Sequence, residues 1–118
     1  MTAVLIIEDQ VRLAKNIQTY LNRSGFKVRK SISGLDGLRE FKRCRSDIVL
    51  LDVHLPDLSG LEVMRRLRNL DPRVRVILMS AMNMAEFETV ARMAGAYECL
   101  PKPLVLKELK KLLQAAAP

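Results

Sequence analysis

The chain has 118 residues, 49% of them hydrophobic, with no Trp, 3 Phe and 2 Tyr. That length suits a single domain, residues 1–118, able to bury an aliphatic core without disulfide or metal staples. The formal net charge of +7 raises nucleic acid as a partner, but the Lys and Arg residues are spread along the chain with no aromatic stacking set among them. They read as solvated helix faces, and direct nucleic-acid binding by this domain is not expected.

The cysteines, Cys44 and Cys99, make neither a disulfide framework nor a CxxC metal pattern, and read as free thiols in a reducing compartment. No basic-plus-apolar leader opens the chain, and the first apolar run, Ala3 to Ile7, is too short to span a bilayer. The expected location is the cytoplasm, with no membrane partner.

Short apolar runs alternate with longer amphipathic segments. Ala3-Val4-Leu5-Ile6-Ile7 lacks alternation and reads as a strand buried on both faces. Gln10 to Ser24 follows as a helix, with Ala14, Ile17 and Leu21 at helical spacing and Gly25 to end it. Phe26 to Ser31 alternates, which suggests an edge strand. Ser33-Gly34-Leu35-Asp36 is a loose capping box that starts a second helix, with Leu35, Leu38 and Phe41 expected inward.

Ile48 to Leu51 is a third strand, ending on Asp52. After a loop containing Pro56, Ser59-Gly60-Leu61-Glu62 caps a third helix with Met64 and Leu67 on one side, and Asp71-Pro72 breaks it. Val74 to Met79 is a fourth strand, ending on Ser80. Met84 to Ala94 is a helix with Phe87, Val90 and Ala91 on one face, closed by Gly95. Ala96 to Leu100 is a fifth strand, and Leu104 to Ala116 a last helix with Leu106, Leu109 and Leu113 inward.

Such alternation gives an α/β fold: a five-stranded parallel sheet flanked by five helices. Right-handed crossovers favour a doubly wound sheet of order 2-1-3-4-5. Ligands bind such sheets beyond the carboxyl ends of the strands, where the strand order switches. The residues expected there are Glu8 and Asp9 after the first strand, Asp52 after the third, Ser80 after the fourth, and Lys102 between Pro101 and Pro103 after the fifth. Each alone has an ordinary reading, as a cap, a turn residue or a surface side chain. Together they gather three carboxylates, a hydroxyl and an ammonium at one edge. Crowded carboxylates repel and raise one another's pKa, and a hard divalent cation, Mg²⁺, relieves that. Lys102 can pair with a carboxylate or a phosphoryl oxygen, and an ionised Asp is a nucleophile toward phosphoryl groups. The chemistry implied is phosphoryl transfer onto Asp52, with Mg²⁺ and Lys102 neutralising charge.

The whole chain resembles the receiver domain of bacterial two-component response regulators. The segments that carry the likeness are Val4 to Asp9, Val49 to Gly60, Ile77 to Ala81, and Gly95-Ala96 with Leu100-Pro101-Lys102-Pro103. The resemblance implies a flavodoxin-like receiver fold with Asp52 as phosphoacceptor. It implies that Glu8 and Asp9 hold Mg²⁺, one directly and one largely through water, together with Asp52 and the backbone carbonyl of His54. It further implies that Lys102 contacts the phosphoryl group and that Ser80 is the switch hydroxyl, with Pro56 and Gly60 shaping the loop after the acceptor.

The resemblance makes a sensor histidine kinase or a histidine phosphotransfer protein the donor, docking near the first helix and the loop after Lys102. An output domain or partner protein would read the surface of the fourth helix, fifth strand and fifth helix, and a homodimer is compatible. The domain would not be an enzyme in the ordinary sense, though it assists its own phosphorylation and dephosphorylation.

One position departs from the family. Where a Tyr or Phe commonly stands three residues before the lysine, this chain has Cys99. Tyr97, in a regular strand, would face the same side as Cys99, with its backbone about 7 Å away, too far to replace the ring. The His54 side chain is expected to be exposed. In the family this position and that of Met82 tune the lifetime of the phosphorylated state. Two rival readings keep the fold: a binding module that no longer takes phosphate, for which Cys99 is the support, and a Mg²⁺-dependent phosphohydrolase. The latter usually has a second Asp where His54 stands.

Overall fold

The computed structural model describes residues 1–81 and 84–118, together with the backbone but not the side chains of Met84 and Glu86. Met82 therefore lies outside the described residues. The strands are β1 (Ala3–Ile7), β2 (Lys27–Ser31), β3 (Ile48–Asp52), β4 (Arg75–Ser80) and β5 (Glu98–Pro101). The helices are α1 (Val11–Arg23), α2 (Gly34–Arg43), α3 (Gly60–Leu70), α4 (Met84–Met93) and α5 (Leu106–Ala116). All strands run parallel in the order β2-β1-β3-β4-β5, the doubly wound arrangement expected from the alternation. β2, the strand with the alternating pattern, is at the edge.

The apolar runs lack alternation because both sheet faces are covered. Leu5, Ile7, Val49, Leu51, Val76 and Leu78 pack on one face with Phe41 of α2, Val63, Met64 and Leu67 of α3, and Phe87 and Ala91 of α4. Val4, Ile6, Ile48, Leu50, Ile77 and Met79 pack on the other with Ala14, Ile17 and Leu21 of α1 and Leu109 and Leu113 of α5. Gly25 and Gly95 take positive φ, 95° and 105°, to turn the chain after α1 and α4.

Three side-chain assignments need correction. Leu35 is 51% exposed. The stripe of α2 that meets the sheet is Gly34, Gly37, Leu38 and Phe41, and an added Cβ on Gly37 would stand 2.4 Å from Ile7 Cδ1. Glycine thus brings the helix axis close to β1 and rotates Leu35 out toward α3. Val90 is likewise exposed, because among the described residues α4 meets the sheet through the line of Phe87 and Ala91. The third concerns Tyr97. β5 begins at Glu98, two residues later than expected, and Tyr97 packs on the α1–α5 side while Cys99 is buried on the α2–α4 side. The Tyr97 ring lies under the Arg75 guanidinium, 4.9 Å from the centroid.

Candidate functional site

Register explains why the polar residues meet. Ile7 pairs with Leu51, Asp52 with Met79, and Ser80 with Pro101. Glu8, Asp52, Ser80 and Lys102 therefore sit at or one step beyond the last paired positions of adjacent strands. The backbone continues the ladder there, with Val53 N–H donating to Met79 O at 3.1 Å and Lys102 N–H donating to Ser80 O at 2.9 Å.

The charged groups form a compact set. Lys102 Nζ lies 2.6 Å from Glu8 Oε1 and 3.3 Å from Asp52 Oδ2. The other Glu8 oxygen accepts the Gln10 N–H at 3.2 Å, and Asp52 Oδ1 accepts the His54 N–H at 3.1 Å. Glu8 is fully buried, Asp52 and Ser80 nearly so, while Asp9 is exposed at the rim. Burial pushes the Glu8 carboxyl up to about 7; Lys102 pulls it down and the neighbouring Asp52 pushes it further up. Burial acts to lower the Lys102 pKa, but Glu8 and then Asp52 outweigh it and hold the ammonium above its ordinary value.

Glu8, Asp9 and Asp52 each offer an oxygen within 4.8 Å of the others. The cluster sets three carboxyl groups against one ammonium, beside a cavity of about 220 Å³. Asp9, Gln10, Asp52, His54, Ala81 and Lys102 line that cavity. Hard oxygen donors with open room for water suit Mg²⁺. Larger cavities occur elsewhere, one of about 350 Å³ past Asp71, Arg73 and Arg75, and one of about 480 Å³ between α2 and α3. Neither is lined by a carboxylate cluster with an ammonium, so chemistry and not size picks the site.

The structure thus brings together Glu8, Asp9, Asp52 and Lys102, with Ser80 at the adjoining strand end. The His54 side chain is exposed, as expected. Cys99 lies on the core side, its thiol pushed up by burial, away from the carboxylates. Both cysteines are free thiols. Among the described residues, no helix is long and apolar enough to cross a membrane.

Sequence reasoning missed Asp57. Its carboxylate accepts the N–H groups of Gly34 and Leu35, each at 2.8 Å, across the gap from the loop after β3 to the start of α2. The only signal was a turn-like Pro-Asp pair, which says nothing about a contact so distant in sequence.

A doubly wound sheet with an acidic cluster and a lysine at its carboxyl edge defines the class. Residues 4–114 match the family model described as response regulator receiver domain. The chain belongs to that family, the receiver domains of two-component response regulators. Among its relatives is the transcriptional regulatory protein YkoG of Bacillus subtilis, 37% identical over 96% of this chain and 50% of that protein. Sporulation initiation phosphotransferase F, also of Bacillus subtilis, is 27% identical over 98% of this chain and 93% of that protein. A crystal structure of a response regulator receiver domain protein from Clostridium thermocellum superposes with a TM-score of 0.92 at 28% identity, covering 98% of this chain and 94% of that one. The chain spans about half the length of the transcriptional regulators it matches.

Proposed function

We propose that this receiver takes a phosphoryl group on Asp52 from a phosphohistidine of a sensor kinase or phosphotransfer protein, and that the acyl phosphate switches its contacts with an output domain or partner. The observation that carries the reading is the placement of Asp52: nearly buried, flanked by Lys102, and facing the cavity of about 220 Å³ beside two more carboxylates. In the transfer an Asp52 oxygen forms the new O–P bond while the P–N bond of the donor breaks. Asp9, Asp52 and the His54 carbonyl would hold Mg²⁺. Glu8, its oxygens engaged by Lys102 and the Gln10 N–H, would act through water. A bound Mg²⁺ supplies charge neutralisation for the phosphoryl oxygens. Lys102 exchanges part of its pairing with Asp52 for a phosphoryl oxygen, and Ser80 supplies a hydroxyl to another.

The donor surface lies next to this centre. Gln10, Leu13, Ala81, Lys102, Pro103 and Leu104 line a cavity of about 440 Å³ that joins α1 to the segment after β5. That is where a phosphohistidine-bearing helix would approach Asp52. The domain turns over only its own phosphate, assisting gain and loss of the group. The output lies with a further domain or a partner, as the greater length of the related transcriptional regulators suggests. A cytoplasmic location follows from such a donor.

Cys99 and Tyr97 mark how this chain switches. With Cys99 where the family commonly has a ring, and Tyr97 on the opposite side of the sheet, motion of Ser80 cannot be followed by an aromatic from β5. β5 and α4 are joined by an ionic contact as well as by apolar packing: Glu98 pairs with Arg92, which also holds Glu88 at 2.8 Å.

Incubation with acetyl phosphate and Mg²⁺, followed by intact-mass measurement, tests the reading. Wild type gains one phosphoryl group and Asp52→Asn gains none. No gain by wild type, or equal gain by the variant, contradicts it.

A further inference from the structure

The segment between Asp52 and α3 presents the His54 backbone to the site and is anchored at both ends. At one end Val53 N–H donates to Met79 O; at the other Gly60 N–H donates to Val53 O at 2.8 Å. Asp57, in the middle, reaches 23 residues back in sequence. Its Oδ1 accepts from Gly34 N–H at 2.8 Å and its Oδ2 from Leu35 N–H at 2.8 Å, while Oδ1 also accepts the Leu58 N–H at 2.9 Å.

The start of α2 completes the account. The amides of its first three residues, Gly34, Leu35 and Asp36, have no carbonyl one turn back to bond to, and Gly37 makes the first helical bond. Gly34 and Leu35 give theirs to Asp57, Asp36 gives its own to Ser33 Oγ at 3.1 Å, and Gly37 gives its own to the Ser33 carbonyl at 2.9 Å. The helix end therefore has two acceptor residues, one local and one from the loop. Gly34 makes the approach close. A Cβ there would stand 2.8 Å from Val63 Cγ2, 3.2 Å from Asp57 Oδ1 and 3.3 Å from Leu58 Cβ. Slight burial acts to raise the Asp57 pKa, but the amides of Leu35, Gly34 and Leu58 outweigh it and hold the carboxyl below its ordinary value. The positive end of the helix dipole acts in the same sense.

We propose that Asp57 is a positioning residue for the phosphoryl site: its carboxylate ties the loop that presents the His54 carbonyl to the start of α2. The carbonyl is thereby fixed relative to Asp52 before a cation binds. The proposal rests on the reading of the site given above. An untethered loop has to be ordered when the cation binds, and that ordering costs affinity. α2 supplies none of the residues that line the cavity beside Asp52; it acts as an abutment.

The test compares wild type, Asp57→Ala and Ser33→Ala. Both variants remove one acceptor from the same helix end, so both melt at lower temperature. Only Asp57→Ala cuts the loop's tie to α2, leaving its closure on Val53 in place. Amide hydrogen exchange over residues 53–60 is expected to quicken in Asp57→Ala and to stay unchanged in Ser33→Ala. Mg²⁺ affinity, measured by calorimetric titration with the metal alone, is expected to weaken on the order of tenfold in Asp57→Ala, the scale of lost outer-shell partners. It stays unchanged in Ser33→Ala, and Asp57→Asn falls between. Equal exchange in the two variants, or equal Mg²⁺ affinity in all three proteins, overturns the proposal while leaving the reading of the site intact. A wild type that binds no Mg²⁺ overturns both, and a faster-exchanging loop would then mark Asp57 as a structural tether only.

Discussion

A Cβ built on Gly60 would stand 2.6 Å from the Val53 Cα and 2.8 Å from the Asp52 carbonyl oxygen. Both obstacles are backbone, so neither can swing aside, and the acceptor would have to move. Gly60→Ala is expected to cost about 3 kcal/mol, the upper range for overpacking, and to slow phosphoryl uptake by Asp52. Chemical denaturation and the acetyl phosphate reaction measure the two effects. A variant as stable and as reactive as wild type would mean that the close approach is dispensable. Most of the site was legible at this scale. Glu8, Asp9, Asp52, Ser80 and Lys102 each follow an apolar run, and parallel register carries such residues to one edge. Asp57 was not legible, because its partners are main-chain amides that leave no mark in the side-chain pattern.

At the scale of elements, caps and strands were the readable features. Ser33 and Ser59 both accept an N–H from the third residue onward, at 3.1 and 3.2 Å. The reciprocal half of the box is absent at Ser59, since Glu62 turns to Arg65 and Arg66. Ser59→Ala should therefore cost about 1 kcal/mol, the worth of a single cap. A melting temperature equal to wild type would contradict this. Leu35 was misread because hydrophobic spacing ignores glycine. Gly34 and Gly37 set which side of α2 approaches the sheet, and Leu35 falls off that side to line the cavity between α2 and α3. Leu35→Gln should accordingly change stability by less than about 0.5 kcal/mol. A loss of several times that amount would place Leu35 in the core after all. Tyr97 was misread for a different reason. The pattern Ala96 to Leu100 does not show where pairing begins, and a strand that starts at Glu98 leaves Tyr97 free to turn to the other face.

At the scale of the whole molecule, many of the basic residues behind the +7 charge lie on helices and pair locally with acids, as Arg43 does with Glu40, Arg65 and Arg66 with Glu62, and Arg92 with Glu88. Arg43 and then Arg29 hold Glu40 at about 2, and Arg65 and then Arg66 hold Glu62 at about 2, against an ordinary 4.5. Below pH 4.5 the unfolded chain takes up protons at these two sites while the fold does not, so their contribution is complete above pH 4.5 and is lost as pH falls through about 2. Glu40→Gln with Glu62→Gln should flatten the acid limb of a stability–pH curve in that window. An unchanged limb would mean that solvent screens both pairs. Mg²⁺ should stabilise the folded chain by mass action, by about 2.7 kcal/mol at a hundred times its Kd, with a smaller gain in Asp9→Asn.

The central claim is that Asp52 is the residue that carries the phosphoryl group. Its most direct test is reduction of the phosphorylated protein with borohydride, which converts an acyl phosphate to an alcohol, followed by peptide mapping by mass spectrometry. The account predicts a reduced side chain at position 52 and at no other carboxylate. Reduction at Glu8, Asp9 or Asp57, or a phosphorylated chain in which Asp52 stays intact, would contradict it.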